Sequence, residues 1–240
     1  MNDSPLQRCV RKAAALYRPA GRAAEHFALG KLAGDPVFAA LLDRRLIPEG
    51  ARLVDLGCGR GLLGAWLRMA REDYEAQPES GLIESPPRIA KYQGIELMPA
   101  DAQCAGMALG DWADIITGDM QTAEWAPADV IVMLDVLYFL EPAAQEQLLV
   151  RIHRHLDAKG VLLMRVADAS GGAGFWWTQI VDYGVAWWRG HGFSRFHCRP
   201  LTEWKSLLER LGFFCEMRPM SAGTLFHNVL IVARPQLPES

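Results

Sequence analysis

Three things are scarce in this chain of 240 residues, and each absence narrows what the chain can be. Charge of one sign is the first. Lys and Arg number 25 against 28 Asp and Glu, a formal net charge of -3, so the basic footprint of a dedicated nucleic-acid binder is missing. The expected partner is a small or carrier-bound molecule, with no nucleic acid. Paired cysteine is the second. Cys9, Cys58, Cys104, Cys198 and Cys215 are odd in number, widely spaced and form no C-x-x-C pair. That argues against a disulfide framework or a zinc site, and for reduced thiols in a cytoplasmic setting with no metal. Long apolar runs are the third. The longest, Val130 to Leu140, is interrupted by Asp135 and is too short to span a bilayer. Arg8, Arg11 and Lys12 are not followed by an apolar block, so no signal peptide is expected.

What is present is an ordinary globular composition, 50% hydrophobic and 22% charged, which is enough apolar surface to fill a core. Helical patterns at Gln7 to Leu16, Ala23 to Leu32 and Pro36 to Arg45 lead into an alternation of strand-like and helical runs. The expected strands are Arg52 to Leu56, Tyr92 to Leu97, Asp114 to Thr117, Val130 to Leu134 and Val161 to Val166. Helices are expected at Gly61 to Met69, Ala100 to Leu109 and Pro142 to Leu156. Such alternation implies right-handed crossovers and a mostly parallel sheet covered on both faces, an α/β fold. A helix at Leu201 to Leu211 is followed by Phe214 to Met220 and Asn228 to Ala233, with no room for a helix between those two runs, so they pair antiparallel. Arg71 to Gln93, rich in Glu, Pro, Ser and Gly, is read as an inserted surface loop.

The most informative stretch is Leu53-Val54-Asp55-Leu56-Gly57-Cys58-Gly59-Arg60-Gly61, a buried strand running through alternating glycines into a helix near Leu62. Glycines at such a turn bring the backbone close to a ligand and adopt positive φ, while the helix start offers unpaired N–H groups. Gly59 to Gly64 also satisfies G-x-G-x-x-G, the dinucleotide pattern, so an NAD(P)-dependent oxidoreductase is one alternative. The strand ends too early for that pattern, however, and a carboxylate at Asp55 would oppose a pyrophosphate while suiting a ligand that carries an amino group and a sulfonium.

With this motif the chain resembles the class I S-adenosylmethionine-dependent methyltransferases, over roughly residues 50 to 235. The resemblance implies a Rossmann-like seven-stranded sheet with an antiparallel seventh strand, behind a helical cap over residues 1–48. The implied cofactor is S-adenosylmethionine. Gly57, Gly59 and Gly61 would approach it, and Asp55 would face its methionine ammonium. Glu96 would hold both ribose hydroxyls and Leu97 would pack on the adenine. Asp119 would take the adenine amino group, Met120 would lie against the ring, and Asp135 would border the methionine end with Tyr138 behind it. Independently of the name, a carboxylate at a strand's C-terminal end suits a vicinal diol in the crevice where open α/β sheets bind ligands. One departure stands out: 41 positions separate Glu96 from Asp55, where about twenty are usual, and the Arg71 to Gln93 insertion would account for the excess. Weaker similarity to methyltransferases of bacterial aryl-polyene pigment clusters lies in Tyr17 to Arg22, Gly30 to Leu32 and Arg199 to Trp204. Arg22 or Lys31 would then reach the cofactor carboxylate, or else serve at the surface.

Any one of these glycines or acids alone is an ordinary turn or cap. Their joint occurrence at four successive strand ends is what points to a cofactor site. His153 and His155, at i, i+2 on a charged helix, are expected at the surface. His191, His197 and Tyr183 lie after the fifth strand, where an acceptor would enter, and are the candidates for a base.

Eight Trp is a high count, and Trp176, Trp177, Trp187 and Trp188 cluster in residues 171–193, read as an inserted helix. Eleven residues make about three helical turns, so Trp176 lies over Trp187 and Trp177 over Trp188. Such a stripe serves a core, an acceptor pocket or an interfacial helix in peripheral contact with a membrane, and few Lys or Arg flank it for the last role. The expected activity is methyl transfer to a small, aromatic or hydrophobic acceptor, O-methylation being favoured. A non-catalytic methyltransferase-like binding protein remains the other alternative.

Overall fold

The computed structural model describes residues 4–43, 45–78, 85–167, 197–220 and 228–236. Three helices come first, α1 (Pro5–Ala15), α2 (Arg22–Gly34) and α3 (Pro36–Ala40). They are followed by β1 (Ala51–Leu56), α4 (Leu62–Ala76), β2 (Ile89–Glu96), α5 (Pro99–Leu109), β3 (Ala113–Thr117) and β4 (Ala128–Leu134). The chain continues through α6 (Pro142–His155), β5 (Leu156–Ala167), α7 (Leu201–Arg210), β6 (Phe213–Pro219) and β7 (Asn228–Pro235). The strands form one sheet in the order β3-β2-β1-β4-β5-β7-β6. β1 to β5 are parallel, and β7 runs antiparallel between β5 and β6. The α/β sheet expected from sequence, with its antiparallel seventh strand, is the one observed. No helix among the described residues is long and apolar enough to cross a membrane.

Strand alternation sorts the side chains onto two faces. Leu53, Val130, Val132, Leu163, Leu230 and Val232 pack under α1 to α4, in one cluster with Tyr17, Phe38 and Trp66. Val54, Ile131, Met133, Leu162, Met164 and Ile231 pack under α6 and α7, around Trp204. The N-terminal helices therefore share the domain's core and do not form a separate body. The strand order reverses between β1 and β4, so the crevice above the C-terminal ends of β1, β2 and β4 is where such a sheet takes a ligand.

The stretch 71–93 is regular at both ends where a loop is expected, and residues 79–84 of it lie outside the described residues. Arg71 to Ala76 complete α4 and Ile89 to Gln93 belong to β2. The helix continues because Asp73, polar in a sequence scan, is fully buried and paired. Arg8 of α1 grips it through Nε and Nη2, at 3.0 and 2.9 Å, and Lys12 reaches it at 2.6 Å. On the solvent side Arg68–Glu72 and Arg71–Glu75 pair at i, i+4. Arg8 and Lys12 hold the Asp73 carboxyl down at about 2. Because that is below its ordinary value of 3.8, its stabilisation is full above pH 4 and disappears as the pH falls towards 2. Asp73→Asn is expected to cost roughly 1–3 kcal/mol at pH 7, with partner side chains that can still reach water. Thermal melts of variant and wild type should converge as the pH drops below 3.

Candidate functional site

β1 ends in a turn whose three glycines all have left-handed backbone, Gly57 at φ 74°, Gly59 at 56° and Gly61 at 74°. They are glycine for different reasons. A Cβ on Gly57 would sit 2.5 Å from Val136 Cγ1, and one on Gly61 would sit 2.9 Å from Leu109 Cδ1, so packing excludes a side chain at both. A Cβ on Gly59 would meet nothing within 4 Å. The chain thus keeps a strained glycine facing open space at the crevice mouth, which is the cradle a closely approaching ligand needs.

Glu96 closes β2 beside this turn, in register with Thr117 of β3. Its Oε2 accepts the Gly59 N–H at 2.8 Å and its Oε1 accepts the Met98 N–H at 2.8 Å. Burial pushes its carboxyl above the ordinary value, against the pull of those two N–H groups. Each oxygen keeps acceptor capacity, so two hydroxyl donors would relieve a carboxylate short of water. Leu97, next along, leaves 54% of its surface exposed, an apolar wall beside that acid.

Asp55 lies beneath the loop, 3% exposed, and accepts the Tyr92 hydroxyl at 2.5 Å. Burial raises its carboxyl to about 7; the Tyr92 hydrogen bond opposes that rise and the Glu96 charge adds to it. After β3, the Gly118 N–H donates to the Glu96 carbonyl at 2.9 Å, bringing the following turn alongside. There Asp119 accepts the Gln121 N–H at 2.8 Å, and Met120 is half-buried against the α6 face. Asp135, after β4, is the one non-glycine residue with left-handed backbone among the described residues, φ 60°. Its carboxylate meets Arg165 of β5, whose Nε donates at 2.9 Å. Arg165 also reaches Asp35, which caps α3 and pairs with Lys31 at 3.1 Å. A 4% exposed guanidinium is thereby neutralised between two acids, as burial of a charge requires.

The methyltransferase domain family model matches residues 28–216, most of the chain. The chain belongs to the methyltransferase domain family. Among curated relatives, carboxy-S-adenosyl-L-methionine synthase of Chromohalobacter salexigens is 28% identical over 129 residues, covering 52% of this chain and 43% of that protein. The chain spans about half the length of the curated relatives it matches. Among solved structures, mitomycin 7-O-methyltransferase superposes with TM-score 0.60 at 22% identity, covering 93% of this chain and 60% of that one. Human N-acetylserotonin methyltransferase, in complex with S-adenosylmethionine, superposes with TM-score 0.57 at 18% identity, covering 95% and 57%. The family agrees with the class I resemblance carried by the glycine loop.

Within this methyltransferase domain, Asp55, the three glycines, Glu96, Leu97, Asp119, Met120 and Asp135 all fall at the C-terminal edges of β1 to β4. His197 lies elsewhere, beyond β4. Its N–H donates to the Tyr138 carbonyl at 2.9 Å, its own carbonyl accepts from Gln145 at 2.7 Å, and its ring nitrogen is 3.1 Å from Glu141. His191, Tyr183 and the Trp-rich segment 171–193 lie outside the described residues. Four participants escaped the sequence reading: Tyr92, Arg165, Asp35 and Arg60. Arg165 did leave a signal, a lone cation inside the apolar run Val161 to Val166, which has to find a buried acid. Arg60 is braced by the N-terminal segment and α5: Tyr17 donates to its carbonyl at 2.9 Å, Asp101 of α5 accepts from its Nε at 2.9 Å, and its guanidinium lies 4.6 Å from the Phe27 ring.

Proposed function

We propose that this methyltransferase domain binds S-adenosylmethionine and transfers its methyl to a small, aromatic or hydrophobic acceptor, O-methylation being favoured. The observation that carries this is the open Gly59 turn backed by Glu96, a left-handed glycine facing free space with a buried, diol-competent carboxylate directly behind it. The names of similar proteins support the chemistry, because they include a 7-O-methyltransferase, an S-adenosylmethionine complex and a synthase of carboxy-S-adenosylmethionine.

When bound, S-adenosylmethionine supplies a methyl activated by its sulfonium. Glu96 holds the ribose diol and Leu97 with Met120 encloses the base, whose amino group meets Asp119. Gly57, Gly59 and Gly61 let the backbone approach the methionine half, Asp55 balances its ammonium, and Asp135 borders that end with its carboxylate fixed by Arg165. The chain's main contribution is alignment of the acceptor nucleophile and exclusion of water, since displacement at a sulfonium methyl asks little of side chains. For a phenol acceptor one base would suffice, and a carboxylic acid, already ionised near neutral pH, asks for less. His197, beside Glu141, is the candidate among the described residues, and His191 and Tyr183 are the others.

Calorimetry with S-adenosylhomocysteine tests the cofactor assignment directly. One site of micromolar affinity is expected, with no heat from NAD or NADP; binding of the pyridine nucleotides alone would overturn it. Release of S-adenosylhomocysteine over a panel of phenols, carboxylic acids and carrier-bound acyl groups then identifies the acceptor class.

A further inference from the structure

The turn between β3 and β4 carries Asp119 and Met120, and Asp119 ties it locally: its carbonyl accepts the Thr122 and Ala123 N–H groups at 3.0 and 2.7 Å and its carboxylate accepts the Gln121 N–H. A second brace comes from a residue more than 25 positions away. Arg151, on α6, directs its guanidinium at three carbonyls of this turn. Nη1 donates to Gln121 at 2.9 Å and to Met120 at 3.5 Å, and Nη2 donates to Ala123. The same guanidinium lies 3.7 Å from the ring centre of buried Trp125, the residue that closes the turn. His155, one helical turn on from Arg151, hydrogen-bonds the Arg151 carbonyl at 2.9 Å and packs its ring 5.6 Å from Trp125. A planar fork with five donors can satisfy several carbonyls at once while stacking on an indole; a lysine cannot.

We infer that Arg151 is a positioning residue for recognition of the base. By fixing the carbonyls of Met120, Gln121 and Ala123 it holds Asp119 and Met120 where the adenine amino group and ring are read, while touching neither cofactor nor acceptor. This rests on the proposed cofactor site and adds the residue that sets its base selectivity. The other tertiary anchors of the segment act at its two ends: the Gly118 N–H donates to the Glu96 carbonyl at 2.9 Å, and the Gln93 side chain accepts the Ala126 N–H at 3.3 Å and donates to Asp114 at 2.8 Å. Arg151 is the tertiary brace of the carbonyls between them, so its loss loosens the turn just after Asp119 while both ends stay tied.

The test compares S-adenosylhomocysteine with S-inosylhomocysteine, which carries an oxygen in place of the adenine amino group. Calorimetry on wild type should show at least tenfold preference for the adenosine form, the order expected when a site built for an N–H meets a ligand lacking it. Arg151→Gln should weaken S-adenosylhomocysteine about tenfold and leave S-inosylhomocysteine nearly unchanged, so that the preference collapses. Arg151→Lys should fall between them. A partly misfolded variant would lower the stoichiometry without altering the affinity ratio, which separates selectivity from folding. Retention of the wild-type ratio in Arg151→Gln overturns the inference. Wild type that binds both compounds equally well also overturns it, and wild type that binds neither overturns the cofactor site as well.

Discussion

Gly59→Ala is expected to abolish cofactor binding in a protein that still folds, and Gly57→Ala to damage the fold itself. Both residues have left-handed backbone, so either alanine costs on the order of 1–2 kcal/mol in conformation. They differ in what the new methyl meets. At position 59 it points into open space, so nothing in the free protein is displaced. The methyl occupies instead the volume into which the ligand must come, and an affinity loss of about 100-fold or more is expected. At position 57 it arrives 2.5 Å from Val136 Cγ1 and 3.1 Å from Val136 Cβ, so the backbone after β4 must shift. Overpacking of that kind costs roughly 1–3 kcal/mol more, which makes about 3 kcal/mol in total and a fall in Tm of about 10 °C. Thermal melts and calorimetry with S-adenosylhomocysteine separate the two effects. If Gly59→Ala binds as wild type does, the turn does not approach the ligand and the proposed site is misplaced.

The same two glycines show what a sequence can and cannot reveal. Asp55 to Gly61 is legible because the chemistry is local: strand, turn and helix start follow one another, and spacing alone predicts their geometry. Glu96 is legible through its place at a strand end, despite the 41 positions between it and Asp55. Part of the extra length is a longer α4 and a longer β2, and α4 could not be read to its end because the burial of Asp73 depends on Arg8 and Lys12, more than 60 residues earlier. The partners that orient the site acids are hidden for the same reason. Tyr92 meets Asp55 only because β2 lies parallel beside β1, placing Gly94 opposite Asp55. Arg165 meets Asp135 only because β5 lies beside β4, and Asp35 joins them from across the N-terminal segment. The proposed ligand-facing residues sit at strand ends and turns that sequence patterns mark; the residues that orient them are supplied by whichever element the topology brings alongside.

At the proposed site, the pairing of Asp55 with Tyr92 is expected to make cofactor affinity depend on pH in a defined direction. Burial raises the Asp55 carboxyl from its ordinary 3.8 to about 7, with Glu96 pushing it further up and the Tyr92 hydroxyl holding it back. Without ligand the folded protein therefore binds an extra proton between about pH 4 and pH 7, and this group's contribution to stability falls as pH rises through that window. A ligand bearing an ammonium and a sulfonium favours the ionised carboxylate, so binding below pH 7 must expel that proton. Affinity for S-adenosylmethionine is expected to tighten up to tenfold per pH unit between pH 5 and 7 and to level off above. Asp55→Asn should flatten the profile at weaker affinity. Tyr92→Phe, which removes the hydrogen bond that lowers the carboxyl, should move the break to higher pH. Glu96 is also raised by burial and contributes a slope of its own, which the difference between wild type and Asp55→Asn cancels. Titration calorimetry in two buffers of different ionisation enthalpy counts the released proton directly. A wild-type profile already flat from pH 5 to 8, with no proton released, would place the Asp55 charge away from the ligand's ammonium.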